Sequence, residues 1–151
     1  MGTDIRKSEK EIRTEIVIQS NYKRVWETLT NFERQAEWNP FIVSLSGKRS
    51  VGAQWDVTVK PPNGSEMSFR PIVSAFDENK ELRWKGKFLV KGIFDGEHYF
   101  VLSKESETQT RLIHGEKFSG LLVYLAGGML RNTEKGFLAM NEALKEECER
   151  N

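Results

Sequence analysis

The stretch LLVYLAGGMLRNTEKGFLAMNEALKEEC, residues 121–148, decides the fold of this chain. Its apolar residues recur every three or four positions, the spacing that places side chains on one face of a helix. At a rise of about 1.5 Å per residue, this helix is about 40 Å long, so its apolar face needs a wide partner surface. A helix laid across a sheet in this way can enclose a cavity as well as a solid core. The predicted face consists of Leu122, Leu125, Met129, Thr133, Phe137, Met140, Leu144 and Cys148.

The residues before the long helix supply that surface. Apolar and polar residues alternate from Ile12 to Ile18, which predicts a first strand. Two short helices follow. The first begins after Asn21, a good N-cap residue. The second, within 32–38, ends before Pro40, because proline disfavours the helical conformation in its predecessor.

The rest of the chain before the long helix alternates strands with turns. The clearest half-buried strand runs from Leu82 to Phe88. Asp95-Gly96 is interpreted as part of a strand with a glycine bulge, and Pro71 indicates a bulge or a sheet edge. Short turns imply an antiparallel meander. The element order predicts an α+β fold, in which a curved antiparallel sheet of about seven strands wraps around the long C-terminal helix.

Length and composition narrow the class of protein. A chain of 151 residues is most simply one domain, 1–151, with residues 1–10 as a flexible N-terminal extension. The net charge of +1 arises from interspersed charges, so no basic stripe points to nucleic acid. No apolar run has the length of a membrane span, and the polar residues 1–15 are not expected to form a signal sequence. Cys148 is the only cysteine. A cytoplasmic protein is therefore expected, and its oligomeric state is not readable.

Several segments, in this order, resemble one known superfamily. The chain is similar to the START-like (SRPBCC) superfamily, which has the birch-pollen-allergen-like or helix-grip fold, and most of all to its bacterial polyketide cyclase/dehydrase-like branch. The resemblance covers residues 10–148 and implies an elongated, mainly apolar cavity between the sheet and the long helix. It also implies diverse ligands and activities, so function inherits little from the fold. The segments are 15–18 with Val25-Trp26, 32–41, 81–86, 96–100, 116–120, and Gly136-Phe137 with Met140, Asn141 and Leu144.

Aromatic and methionine side chains are the first candidates for a ligand site. Pockets are lined largely by such residues, which stack well on planar ligands. The alternative is that each of them fills the core, and for any one of them the core is favoured. With Thr133, which can hydrogen-bond a ligand or its own helix, the predicted lining residues are Trp38, Trp55, Met67, Phe69, Trp84, Phe88, Phe100, Phe118, Met129, Phe137 and Met140.

His98 and Glu116 are the candidate polar residues of this site. They share strand faces with Phe100 and Phe118 on strands expected to be neighbours, so they can approach each other across the ladder. A carboxyl beside an imidazole is a candidate general acid or base, or a polar anchor for a ligand. The alternative is a satisfied structural pair, or residues that face water. Asn39 and Asn141 are further polar candidates, each more simply a cap or a buried structural partner.

No cofactor or metal is expected. His98, His114 and Glu116 formally make a two-histidine, one-carboxylate set, but no spacing motif supports it. The sequence offers little support for nucleophilic catalysis. It contains no Gly-x-Ser-x-Gly elbow, and Cys148 has no histidine near it in the sequence.

Three functions remain open. The first is binding of a small hydrophobic molecule, such as a lipid, a polyketide-like compound or an aromatic compound, in a cavity between the sheet and the C-terminal helix. The second is an aromatase/cyclase or dehydratase-type enzyme that uses His98 and Glu116 as acid and base. The third is a protein-interaction module like the co-chaperones of the superfamily. Binding without catalysis is favoured, because few ionisable groups converge.

Overall fold

A computed structural model gives the fold and describes residues 10–87, 95–120 and 127–150. The predicted extension lies outside the described residues, except that Lys10 begins the first strand. A single 3-10 turn, Phe32–Arg34, lies between the first two helices. The other elements are β1 Lys10–Ile18, α1 Tyr22–Thr30, α2 Gln35–Trp38, β2 Ile42–Ser46, β3 Asp56–Val59, β4 Met67–Phe69, β5 Ile72–Asp77, β6 Glu81–Lys87, β7 Asp95–Ser106, β8 Gln109–Ser119 and α3 Gly127–Glu149.

The strands form two antiparallel sheets. The larger has the order β1-β8-β7-β6-β5, and the smaller has the order β2-β3-β4. The predicted α+β helix-grip fold is confirmed, with two short helices after β1 and a long helix at the C-terminal end. The described residues contain eight strands in two sheets, where the sequence predicted about seven in one.

The two sheets meet where residues 52–55 pair with residues 71–73. Trp55 N–H donates to Pro71 O at 2.9 Å, and Val73 N–H donates to Ala53 O at 2.9 Å. Pro71 therefore lies between β4 and β5, at the junction of the sheets, rather than within a strand. This position suits proline, because its carbonyl accepts a hydrogen bond and no N–H is needed.

Local sequence explains the two short helices. The Asn21 side chain accepts a hydrogen bond from Lys23 N–H at 2.9 Å and so caps α1. The Asn39 side chain accepts from the N–H groups of Phe41 and Ile42, both at 2.9 Å. Asn39 therefore stabilises the turn into β2, which is the structural role weighed for it.

Register in the larger sheet is continuous through Gly96. It pairs with Gly86 on β6 and with Phe118 on β8, so the predicted strand is present but the predicted bulge is not. The irregularity of this pair of strands lies between Lys104 and Ser106 instead. The uninterrupted register keeps every second residue of β7 and β8 on the same face of the sheet.

The long helix is described from Gly127 onward, so Leu122 and Leu125 lie outside the described residues. Five predicted members of its buried face are buried: Thr133, Phe137, Met140, Leu144 and Cys148. The prediction that Met129 belongs to this buried face is wrong, because 40% of its surface is exposed, whereas Leu130 is buried. The buried face needs a residue three or four positions before Thr133, and both Met129 and Leu130 meet that spacing.

Helix α3 runs along β1 in the same direction. Asn141 bonds to Thr14 near the middle of β1, and Lys145 Nζ donates to Val17 O at 3.3 Å further along. The first turns of α3 and the start of β1 therefore lie at the same end of the molecule. We call this the Phe118 end; there Lys10, Phe118, Gly96 and Gly86 occupy neighbouring positions on successive strands. No helix in the described part of the chain has the length and apolar character needed to cross a membrane.

Candidate functional site

His98 and Glu116 meet, as the strand pattern predicts. They are directly opposite residues of β7 and β8, and His98 Nδ1 lies 3.3 Å from Glu116 Oε1. Both side chains point to the face of the sheet that α3 covers, since Phe137 on α3 packs on the His98 ring at a centroid distance of 4.8 Å. The contact thus lies between the sheet and the long helix.

Beyond this contact, a series of hydrogen bonds continues from His98 into the core. His98 Nε2 lies 2.8 Å from His114 Nε2, and His114 Nδ1 lies 2.8 Å from Asn141 Oδ1. Asn141 Nδ2 donates to Thr14 Oγ1 at 2.8 Å, and Thr14 Oγ1 donates to the His114 carbonyl at 2.6 Å. We call Glu116, His98, His114, Asn141 and Thr14 the polar chain. It joins β8, β7, α3 and β1, and all its members except Glu116 are buried.

Aromatic rings enclose the two imidazoles. Trp84 stacks on His98 with a centroid distance of 4.7 Å and an interplanar angle of 22°. Phe100 and Phe137 both stack on His114, each at 4.3 Å. This enclosure excludes water and disfavours a charged imidazole.

Burial shifts the pKa of each titratable member away from its ionised form. It lowers the pKa of His98 to about 3 and lowers the pKa of His114 well below its ordinary value, the latter also because His98 is close. Burial raises the pKa of Glu116 to about 8. At neutral pH the three groups are therefore uncharged, and Glu116 carries a proton.

Glu116 is the member of the polar chain nearest the Phe118 end. Its side chain is 13% exposed, against 4% for His98. Gly96 makes room for it, since a Cβ at position 96 would collide with Glu116 Oε2. The Glu116 carboxyl thus lies over the Gly96 backbone, with Oε1 toward His98 and Oε2 toward Gly96.

A pocket of about 920 Å³ lies at the Phe118 end. Its described lining takes residues from both faces of the larger sheet, includes no residue of α3, and reaches Glu116 only through the neighbouring Gly96 and Phe118. The cavity predicted between the sheet and the long helix stays a prediction. The described lining consists of Gly86, Gly96, Phe118 and Ser119 with Lys10, Glu11, Gln54, Arg70, Ile72, Lys85, Asp95, Glu97 and Lys117.

The histidine nitrogens are arranged for a hydrogen bond with each other. A separation of 2.8 Å between the two Nε2 atoms leaves no space for a metal ion between them, because each metal–nitrogen bond alone needs about 2.0 Å. Among residues 10–87, 95–120 and 127–150, no group of three or more histidine, cysteine or acidic side chains is placed to hold a metal.

Residues 9–150 match the profile of a family described as "Polyketide cyclase / dehydrase and lipid transport". The chain belongs to this family. The match spans nearly the whole sequence and confirms the resemblance to the polyketide cyclase/dehydrase-like branch. No curated protein matches the chain significantly.

Solved structures of similar fold include aromatase/cyclases. The Zhui aromatase/cyclase from Streptomyces sp. R1128 has a TM-score of 0.76 at 15% identity, with 94% of each chain covered. The di-domain aromatase/cyclase StfQ of the steffimycin biosynthetic pathway has a TM-score of 0.76 at 14% identity, with 97% of this chain and 52% of that chain covered. The chain thus spans about half the length of the di-domain proteins it matches. Norcoclaurine synthase from Thalictrum flavum has a TM-score of 0.70 at 11% identity, with 93% and 94% covered. At these low sequence identities, the likeness shows a shared fold and nothing about function.

In this member of the polyketide cyclase/dehydrase family, most of the predicted lining residues lie in the core. Trp55, Trp84, Phe100, Phe137 and Met140 are at most 2% exposed, the location expected if they fill the core. Their contact with a ligand stays a prediction. In the structure, Trp84, Phe100 and Phe137 stack on the histidine rings of the polar chain and enclose them.

The other predicted lining residues are more dispersed. Phe118 lines the pocket, and Phe69 lies over Gly86 at the same end. Met67 is partly buried on β4, Thr133 is buried on α3, and Phe88 lies outside the described residues. Met129 is exposed on α3.

Trp38 lies in a different part of the molecule from the polar chain. It lines a small pocket of about 150 Å³ together with residues of α1 and Glu147 near the end of α3. Its indole Nε1 is buried and has no hydrogen-bond partner among the described residues. The structure therefore does not bring Trp38 together with His98 and Glu116.

Sequence reasoning missed the role of His114, Thr14 and Gly96. One signal was available, since His114 and Glu116 are two residues apart and so share a strand face. No sequence pattern predicted the hydrogen bond between His114 and Asn141, because that bond depends on where α3 crosses the sheet.

Proposed function

We propose that this protein binds a small, largely apolar molecule at the Phe118 end, with Glu116 as the anchor for a polar group of that molecule. The observation that carries the proposal is the position of the Glu116 carboxyl, at the end of a buried polar chain and beside the Gly96 backbone that lines the pocket. Ligand sites typically place a few polar groups on apolar surface, and at the Phe118 end that surface is provided by Phe118, Phe69 and Ile72, beside the charged side chains that also line the pocket.

The surroundings of Glu116 support an uncharged ligand. Phe118 and Phe69 provide aromatic surface at this end, and the nearest polar chain members are neutral at physiological pH. The family description and the aromatase/cyclases of similar fold agree with a hydrophobic ligand.

Two measurements test this function. Native mass spectrometry of gently purified protein, followed by extraction, identifies any compound that co-purifies. Fluorescence titration with 2-naphthol then measures binding directly. Saturable binding that Glu116→Leu weakens, and that Glu15→Gln leaves unchanged, supports the proposal. Glu15 is the matched control because its exposed carboxylate pairs with Arg111 outside the polar chain. Absence of saturable binding, or equal affinity in wild type and Glu116→Leu, overturns it.

Acid–base catalysis is the second candidate, and one observation favours it. A carboxyl with its pKa raised to about 8 and an imidazole 3.3 Å away can transfer protons near neutral pH. The reaction class would be cyclisation or dehydration of a β-hydroxy ketone. In that case Glu116→Gln retains ligand affinity but loses turnover, because the amide keeps the shape and polarity of the acid without a transferable proton. Equal turnover in both proteins excludes Glu116 as the catalytic acid.

A further inference from the structure

The direction of each hydrogen bond in the polar chain can be worked out from its inner end. Thr14 Oγ1 donates to the His114 carbonyl, so it accepts from Asn141 Nδ2. The Asn141 amide oxygen then faces His114 Nδ1 at 2.8 Å, and only a protonated Nδ1 makes a bond there. The neutral His114 ring therefore has its proton on Nδ1 and a lone pair on Nε2.

This tautomer of His114 fixes the tautomer of His98. The two Nε2 atoms are 2.8 Å apart, so His98 Nε2 must donate its proton to His114. A neutral His98 ring then has a lone pair on Nδ1, which faces Glu116 Oε1 at 3.3 Å. Two lone pairs repel, so a hydrogen bond between these atoms requires that Glu116 carry the proton.

We propose that Thr14, Asn141, His114 and His98 together hold Glu116 as an uncharged acid, whose Oε1 donates to His98 and whose Oε2 accepts from a hydroxyl group of the ligand. The ligand class is thus an uncharged, largely apolar molecule with a hydroxyl, such as a phenol or an enol. A ligand whose polar group is a carboxylate, an ether or a methyl ester has no hydroxyl hydrogen to donate to Glu116 Oε2. This inference rests on the proposed function only for the ligand.

The other groups around Glu116 are consistent with this state. On the same face of the neighbouring strands the titratable groups are Lys10 on β1, His98 on β7 and His114 on β8. Helix α3 brings Phe137 and Asn141 to the two histidines, and neither titrates. Burial is the cause of the raised pKa of Glu116.

The protonation state is tested on the free protein, without any ligand. Nuclear magnetic resonance of protein labelled in the histidine nitrogens and glutamate carboxyls, at pH 6.5 to 7, reports each site. The expected result is a proton on Nε2 of His98, a proton on Nδ1 of His114, and a protonated Glu116 carboxyl. Protons on both nitrogens of His98 with an ionised Glu116 would overturn the proposal, even if a ligand binds.

The ligand class is tested with matched probes on the same protein. From the energy of one hydrogen bond between neutral groups, we expect 2-naphthol to bind about 2- to 10-fold more tightly than 2-methoxynaphthalene. The sodium salt of 2-naphthoic acid is expected to bind more weakly than 2-naphthol. Glu116→Gln keeps a donor toward His98 and a carbonyl toward the ligand, so it retains the preference, and Glu116→Leu loses it. Equal affinities of the first two probes for wild type overturn the ligand class, whereas failure of every probe to bind overturns the proposed function itself.

Discussion

At the scale of single residues, surroundings give two glutamates opposite properties. Glu15 is on the solvent side of β1, where hydrogen bonds and charge from Arg111 and Arg13 lower its pKa. Glu116 lies on the opposite face of the neighbouring strand, where burial among aromatic rings and neutral imidazoles raises its pKa to about 8. The same side chain is therefore an anion at one position and a neutral hydrogen-bonding acid at the other.

The raised pKa of Glu116 predicts a loss of stability above pH 6.5. Folded Glu116 binds a proton up to about pH 8, and the unfolded chain releases it near 4.5, so raising the pH between these values lowers the free energy of unfolding. The histidines act oppositely, because the pKa of His98 falls to about 3 and its stabilising effect grows with pH up to 6.5. Between pH 6.5 and 9, wild type should lose on the order of 2 kcal/mol.

Glu116→Gln should remove this decline, because the amide does not titrate. Urea unfolding of both proteins at pH 6.5 and 9 measures the difference. A parallel decline in both proteins would show that other groups cause it and that the pKa of Glu116 is not raised.

The hydrogen bonds of the Thr14 side chain predict that replacing it lowers the stability of the protein. Its hydroxyl accepts from Asn141 and donates to the His114 carbonyl, so Thr14→Val leaves a buried amide and a buried carbonyl without these partners. We expect a loss of about 2–4 kcal/mol. Thr110→Val is the matched control, since Thr110 is fully buried but makes one side-chain bond, to Ser20 O, and should lose about 1–2 kcal/mol. Equal losses in urea unfolding would indicate that Asn141 finds another partner.

At the scale of elements, periodicity predicts what lies along one strand or helix but not how elements cross. The alternation in β7 and β8 correctly placed His98 opposite Glu116, because register between neighbouring strands follows from the short turn that joins them. The spacing in α3 correctly predicted Phe137 and Met140 as buried. Contact between Asn141 and His114 joins a helix to a sheet across 27 positions, and no local pattern encodes that crossing.

Gly136 predicts how tightly α3 packs against the rest of the molecule. A Cβ at this position would lie 2.5 Å from Phe41 Cδ1, and Phe41 itself packs edge-on against Phe137. Gly136→Ala should therefore destabilise by about 1 kcal/mol, since overpacking at about 1–3 kcal/mol exceeds the helix propensity gained, about 1 kcal/mol.

Gly128→Ala is the matched control on the same helix. Position 128 is exposed, and the nearest atom to an added Cβ is Arg131 Nη2 at 3.9 Å. This variant should be neutral or more stable than wild type in urea unfolding. If both alanine variants were equally stabilising, Phe41 would have to move away from α3 at little cost.

At the scale of the whole molecule, one apolar core joins both sheets and the three helices of the described residues. Trp55 connects the sheets, because its backbone bonds to Pro71 and its ring packs edge-on against Trp84. The sequence predicted one domain and a single sheet; the second sheet was not predicted, because its junction depends on pairing between residues 52–55 and 71–73 outside the main strands. The continuous core includes Trp26 of α1, Val57 of β3, Trp84 of β6 and Leu144 of α3.

This shared core predicts that the described part of the chain unfolds as one unit. Neither the smaller sheet nor α3 has a core of its own, so each loses its buried surface when the other elements separate. Urea unfolding followed by far-ultraviolet circular dichroism, which reports mainly the helices, should coincide with near-ultraviolet circular dichroism, which reports tryptophan packing. Gly136→Ala should shift both transitions equally, although its added methyl group lies only between α3 and Phe41. A helix signal lost at lower urea than the tryptophan signal would show instead that α3 separates first, and the polar chain between α3 and β1 would then add little to the stability of the sheet.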